Sequence, residues 1–273
     1  MTTKKFQKTI LDWYKQNGRH DLPWRKTANP YRICVSELML QQTQVDRVIP
    51  KYTEFLKIFP TVTALATAPT AEVLAAWQGL GYNRRALYLK KTAQIIAEHS
   101  GRWSHSPEEL EKLPGIGPYT ARAIATFCWN SREIFLETNI RRVFIHFFFS
   151  DFTEPVHDRQ ILPLIASTLP PGNPREWYWA LMDYGTLALK TISNPNRRSR
   201  SYTKQSPFKG SHRQIRGQIL RLLLDKKTVT MKHLEAALSL SPNRLIPALD
   251  ELAREGFLLK TVVRKGDIYR LIS

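Results

Sequence analysis

Between Leu113 and Ala123 the chain reads LPGIGPYTARA, with two glycines and two prolines inside PGIGP and an apolar, helix-forming run directly after them. Leu110 to Leu113 is expected to end one short helix, and Tyr119 or Thr120 to begin the next. Gly115 and Gly117 let the backbone approach a partner with no Cβ in the way. Pro118 fixes φ near a helix start, where an N–H would be unpaired in any case. The outcome is a group of N–H donors at a helix N-terminus, which suits a phosphate. A turn of this kind commits the chain to a helical hairpin built to meet an anion.

The surrounding sequence agrees. Residues 5–16 place Phe6, Ile10, Leu11 and Tyr14 on one helix face, and Ser36 is positioned to cap a helix carrying Leu38, Met39 and Leu40. Further helices are expected around residues 46–58, 70–77, 84–99, 119–129, 139–148, 159–169 and 177–189, separated by short Gly/Pro/Ser breaks. Alternating strand patterns are almost absent, so the fold class is mainly α. Residues 193–213 are polar, basic and rich in turn formers, readable as a linker or as an ordered loop. After them come three helical segments (214–224, 232–238 and 242–255), then two short strands, 257–263 and 268–272, joined by RKGD. Three helices followed by a hairpin predict a winged-helix domain over 214–273. Its third helix would be available to a major groove, although Asp250, Glu251 and Glu255 weaken it as a DNA reader.

Charge gives the first functional direction. The 273 residues carry 41 Lys and Arg against 23 Asp and Glu, a formal charge of +18. The excess is clustered: from Tyr184 to Leu224 there is no acidic residue but nine basic ones, including Arg197, Arg198, Arg200 and Arg213. Such clustering points to nucleic acid. No apolar run is long enough for a membrane span, and the N-terminus lacks the apolar stretch of a signal peptide. The two cysteines, Cys34 and Cys128, lie in apolar settings and read as buried, reduced thiols of a cytoplasmic, nucleoid-associated protein.

LPGIGPYTARA resembles the helix–hairpin–helix of the DNA glycosylase superfamily that includes endonuclease III and MutY-type adenine glycosylases. LPWR, SELMLQQTQV, FPTVTALATA and WQGLGY are similar to the MutY branch in particular. The resemblance covers roughly residues 6–190. It implies a glycosylase core over 1–192, with 30–135 as a six-helix subdomain holding the hairpin and 1–29 plus 136–192 as the second subdomain. DNA would lie across the cleft between them. The implied partner is double-stranded DNA containing a mismatch or damaged base, bound by a monomer.

The resemblance also assigns roles. Breaking a purine N-glycosidic bond needs a proton for the departing base and negative charge near the developing oxocarbenium ion, and two carboxylates in different environments supply both. Glu37, set among apolar neighbours in VSELML, falls at the family's general-acid position. Glu137 in FLETNIRRVF falls where the family has an Asp two residues before an Asn; here Asn139 remains, the acid is one methylene longer, and Thr138 replaces a glycine. Tyr119 stands where the superfamily's lyases carry a Schiff-base lysine. A phenol cannot form that imine, so a monofunctional enzyme with water as nucleophile follows. Gln42 would wedge into the duplex, with Thr43 beside the opposite base, Tyr82 wedging or stacking from the other side, and Gln41 also on the DNA. Arg25 would line the base pocket. Gly115, Gly117 and Thr120 of the hairpin, together with Arg197, Arg198 and Arg200, would take the phosphates.

Two departures stand out. The family's iron–sulfur cluster needs about four thiolates after the MDYG-like helix, and no cysteine occurs there, so the cluster is expected to be missing and the basic segment to take over its phosphate contacts. The C-terminal domain with which adenine glycosylases sense 8-oxoguanine is replaced by the winged-helix segment. The reading is therefore a cluster-free glycosylase acting on adenine opposite guanine or 8-oxoguanine. Its rivals are a G·T or G·U mismatch thymine/uracil glycosylase and a catalytically impaired protein that binds damaged or abasic DNA.

Overall fold

Apolar residues three and four positions apart wind most of the chain into helices, and short polar caps stop each one. The computed structural model describes residues 1–192, 194–263 and 266–272. In chain order the first helices are α1 (Thr3–Asn17), α2 (Pro30–Leu40), α3 (Val45–Ile58), α4 (Val62–Thr67), α5 (Thr70–Trp77), α6 (Arg84–Glu98) and α7 (Pro107–Leu110). They are followed by α8 (Pro118–Trp129), α9 (Thr138–Phe148), α10 (Asp158–Thr168), α11 (Pro174–Asp183), α12 (His212–Lys226), α13 (Met231–Leu238) and α14 (Pro242–Arg254). Side-chain oxygens of Thr2, Thr61, Ser106, Asn173, Ser211 and Thr230 accept amide hydrogens of the turns that follow them, each such cap contributing about 1 kcal/mol. The chain divides into two compact units, and the boundary falls inside α2.

The first unit is formed by Met1–Glu37 and Trp103–Lys204. Its core is aromatic. Phe6 of α1 meets Phe144, Phe147, Phe148 and Trp177 edge to face, with ring centroids 4.9 to 5.6 Å apart. Phe135 stacks on Tyr178 at 3.8 Å. Geometries of this kind add about 0.5–1.5 kcal/mol per pair beyond area burial. Asp183, fully buried at the end of α11, accepts hydrogen bonds from Arg19 and Arg25, which hold its carboxyl below the usual range against the cost of burial.

Residues 194–201 form an ordered strap on α9. Pro195–Arg198 is a 3-10 turn; Asn196 Nδ2 donates to Thr138 O at 2.9 Å, and Ser199 pairs with Val156. Ser36, expected to open a helix, instead lies inside α2 and donates to Ile33 O at 2.8 Å. The β-branched residues Ile33 and Val35 concealed the first two turns, because burial outweighs their modest helix propensity.

The second unit is formed by Leu38–Arg102 and the chain from Gln205 onward. Val48, Phe55, Leu65, Trp77 and Leu89 are buried among α3 to α6, with α4 lying along α6. At the C-terminal end, strands β1 (Thr228–Thr230), β2 (Leu258–Thr261) and β3 (Ile268–Leu271) form an antiparallel sheet in the order β1-β3-β2. Thr228 pairs with Arg270, and Leu258 with Leu271. The sequence shows two of these strands; β1 is too short for alternation to register. The expected RKGD turn, through Arg264 and Lys265, lies outside the described residues. Of Asp250, Glu251 and Glu255, the last two meet basic partners, while Asp250 is exposed. Glu251 of α14 pairs with Arg216 and His212, and Glu255, which ends α14, pairs with Arg216 and Arg84, which pull its carboxyl down to about 2 against burial. No helix among the described residues is long and apolar enough to cross a membrane.

Candidate active site

Glu37 sits in the last turn of α2 and is 6% exposed. Burial pushes its carboxyl up to about 7, the Tyr119 hydroxyl that donates to Oε2 at 3.2 Å pulls it back, and the charge of Glu137 pushes it up again. A helix C-terminal turn also disfavours an anion. The site therefore holds a carboxylic acid that keeps its proton to well above the ordinary carboxylate range.

Tyr119 arrives through the hairpin. Leu113 N donates to Leu110 O and Ile116 N to Leu113 O, closing the turn after α7; buried Ile116 pins it to the core. Gly115 takes φ +77°, which only glycine adopts without strain. Gly117, exposed and extended, caps α8, and Pro118 opens it. In the first turn of the helix, the Tyr119 ring packs edge to face on Phe135 at 5.7 Å, and burial with two nearby carboxylates raises its phenol well above the ordinary value. Tyr119 is thus a neutral donor. Thr120, beside it, is buried at 3% exposure.

Glu137 caps α9. Its Oε1 accepts from Asn139 N and Ile140 N, both at 2.7 Å, while Oε2 accepts from Asn139 Nδ2 at 3.2 Å. The side chain is packed on most sides yet keeps partial solvent access. Burial raises this carboxyl as well, but three N–H donors and Arg141 favour its charged form. Glu37 has one donor and a helix C-terminus; Glu137 has three donors and a helix N-terminus. As pH rises, Glu137 ionises first, and its charge then helps keep the proton on Glu37.

The structure brings together Glu37, Tyr119, Glu137 and Asn139. Arg25 is placed otherwise: its guanidinium makes paired hydrogen bonds to Asp183 and lies 5.5 Å from the Trp179 ring, with the side chain 4% exposed. Arg198 donates to the carbonyls of Phe149, Ser150 and Phe152, and Arg200 contacts His157, whereas Arg197 is exposed. In the second unit, Gln42 is exposed, Gln41 and Thr43 are partly buried, and Thr43 Oγ1 donates to Leu80 O. Tyr82, also exposed, accepts hydrogen bonds from Gln205 and Arg213.

Sequence reasoning missed Asp183, Gly185 and Arg85. Gly185, in the π-turn Tyr184–Ala188 after α11, lies against the Asn139 backbone and so fixes the start of α9. A glycine inside a helical pattern was its only signal. Nothing in a pair of adjacent arginines separates the buried Arg85 from Arg84.

Residues 35–162, which span Glu37, the hairpin and Glu137, match the model of the HhH-GPD superfamily base excision DNA repair proteins. An adenine DNA glycosylase of Mycolicibacterium smegmatis is 35% identical over 271 residues, covering 92% of each chain. The chain belongs to the HhH-GPD superfamily of base excision DNA repair proteins. A second relative, adenine DNA glycosylase of Buchnera aphidicola, is 42% identical over 197 residues, 71% of this chain but 56% of that protein, so the match spans little more than half of its length. Among solved structures, a thermostable thymine-DNA glycosylase shares 26% identity at a TM-score of 0.61, over 68% of this chain and 86% of that one. The matched residues include the hairpin and both acids.

Proposed function

We propose that this protein is a monofunctional adenine DNA glycosylase, which hydrolyses the N-glycosidic bond of an adenine extruded from duplex DNA opposite guanine or 8-oxoguanine. The observation that carries the reading is the pairing of a proton-holding Glu37 with a better-solvated, better-hydrogen-bonded Glu137 around Tyr119. Glu37 gives its proton to a purine ring nitrogen as the bond from the sugar carbon to the base breaks, and the bonding electrons leave with the base. Ionised Glu137 stabilises the resulting oxocarbenium ion. Water adds to the sugar carbon and its proton returns to the Glu37 carboxylate, leaving free adenine and an abasic site. Tyr119 carries no amine, so no covalent imine forms.

Adenine is favoured over thymine because the near-full-length relatives bear adenine glycosylase names, at 33–35% identity, whereas the thymine enzyme shares 26% over a smaller share of this chain. The reading includes work without an iron–sulfur cluster. Cys34 and Cys128 are the chain's two cysteines, both are buried, and burial raises their thiols, Cys128 to about 12, where a cluster needs four thiolates. The helices and sheet of the C-terminal end would serve as a winged helix, and exposed Arg197 would take a phosphate.

The test uses labelled duplexes carrying A opposite 8-oxoguanine, A·G, G·T, G·U or an abasic site, followed by alkali. Release of adenine by the native protein and none by Glu37→Gln is the expected result. Release of thymine or uracil instead would move the substrate to the pyrimidine reading. Binding with no base release would leave a DNA-binding protein, and borohydride trapping would show a lyase.

A further inference from the structure

Five non-glycine residues among the described residues of the second unit take left-handed backbone, and two of them, Gln42 at φ +57° and Tyr82 at φ +47°, lie in neighbouring loops. Both are exposed, so neither gains core packing from its strained backbone. Left-handed geometry at a residue bearing a side chain persists only where the surroundings enforce it. Thr43 Oγ1 joins the two loops directly by donating to Leu80 O at 3.2 Å, and a buried arginine contacts both. Arg85 Nη1 donates to Leu38 O at 2.6 Å and Met39 O at 2.9 Å, in the last turn of α2, and to Gln41 O. Its Nη2 donates to Thr43 Oγ1 at 3.1 Å, Leu80 O at 3.3 Å and Gly81 O at 2.8 Å, and Nε donates to Tyr82 O at 3.3 Å. The guanidinium also lies 5.3 Å from the Trp77 ring centroid and 5.6 Å from that of Tyr82.

All these acceptors are neutral, six of the seven being backbone carbonyls. A buried cation with no carboxylate partner is costly and its pKa falls to about 10, yet it stays charged at neutral pH. The three carbonyls on one side end a helix and enter the loop of Gln42; those on the other form the loop of Tyr82. Only a planar fork with five N–H groups can reach both at once, and lysine has neither the plane nor the number of donors.

We propose that Arg85 is the positioning residue that locks the loops 41–43 and 80–82 into one preset frame, so that Gln42 and Tyr82 enter the DNA stack as a single rigid pair. The proposal rests on the DNA glycosylase reading. A wedge fixed before contact loses no ordering entropy when it displaces a base. Arg85 touches no reacting atom; it acts on the extrusion step that precedes hydrolysis.

Arg85→Lys, checked for folding by circular dichroism, is compared with the native protein in two measurements. Without DNA, backbone amide exchange of residues 41–43 and 80–82 is expected to quicken in both loops together; exchange unchanged in both, or quickened in one alone, overturns the proposal whatever the protein does to DNA. With DNA, single-turnover adenine release from a paired duplex is expected to fall by about a hundredfold, as for a misplacement near 1 Å. On a single strand, where no base need be displaced, the fall is expected to be under about threefold. An equal fall on both substrates would make Arg85 a general stability residue and overturn the wedge assignment. Native protein that releases no base from either substrate would refute the glycosylase reading, and the exchange measurement would still decide whether Arg85 holds the loops.

Discussion

A Cβ on Gly185 would lie 2.3 Å from the carbonyl oxygen of Asn139 and 2.9 Å from its carbonyl carbon. Both neighbours are backbone, at the start of the helix that Glu137 caps. Gly185→Ala is therefore expected to push α9 away, costing roughly 1–3 kcal/mol of stability and lowering adenine release by about a hundredfold. Thermal unfolding and single-turnover kinetics measure the two effects. A variant as stable and as fast as the native protein would mean that the contact relaxes without moving Glu137.

Glu37 links pH to stability with a definite sign. Its carboxyl titrates near 7 when folded against an ordinary value of 4.5. Across that window the folded state binds more protons than the unfolded one, so this group's contribution falls as pH rises and stays low above 7. The full penalty is on the order of 3 kcal/mol. Glu37→Gln should therefore raise the melting temperature more at pH 8 than at pH 5 while abolishing base release. A gain that is larger at pH 5 would contradict a protonated Glu37.

The Tyr119 hydroxyl stabilises the Glu37 anion, so its removal should raise the Glu37 pKa further. In Tyr119→Phe the alkaline fall in single-turnover rate is expected to move up by about half to one pH unit, the worth of one neutral hydrogen bond. A limb that stays put or moves down would show that the rate does not report this pair.

Glu137→Gln keeps an oxygen for the amides of Asn139 and Ile140 but removes the charge. Stability should change by no more than about 1 kcal/mol, the worth of a cap, while base release should drop by about a hundredfold or more. If kinetics and unfolding fall together, Glu137 is a cap and nothing else.

The basic strap should divide by residue. Arg197 is exposed, and Arg197→Ala is expected to flatten the dependence of log K on log salt by about one. Arg198 spends its donors on three carbonyls, so Arg198→Ala should lower the melting temperature instead. Titrations at several salt concentrations separate the two. Matching salt slopes for Arg197→Ala and the native protein would remove the strap from the DNA surface.

Much of the molecule was legible in local pattern. Helix periodicity placed α5 at its observed limits and most others within a few residues, because face-to-core spacing is a property of neighbouring positions. The hairpin was readable for the same reason: Gly115 needs left-handed backbone and Pro118 tolerates a helix start, and both are properties of single residues. Cooperative tertiary packing decided where propensity misled, as at Ser36 inside α2.

The sequence by itself determined the kinds of groups available: two acids near apolar neighbours, a tyrosine where an amine would change the chemistry, a surplus of positive charge. Tertiary structure decided what each group is. It made Glu37 an acid by burial at a helix end and gave Glu137 three amide donors at a helix start. It turned Arg25 and Arg198 inward, and made Arg85 the hub of two loops. Desolvation and hydrogen bonding depend on which distant segments meet, and no order of residues along a chain states that before it folds.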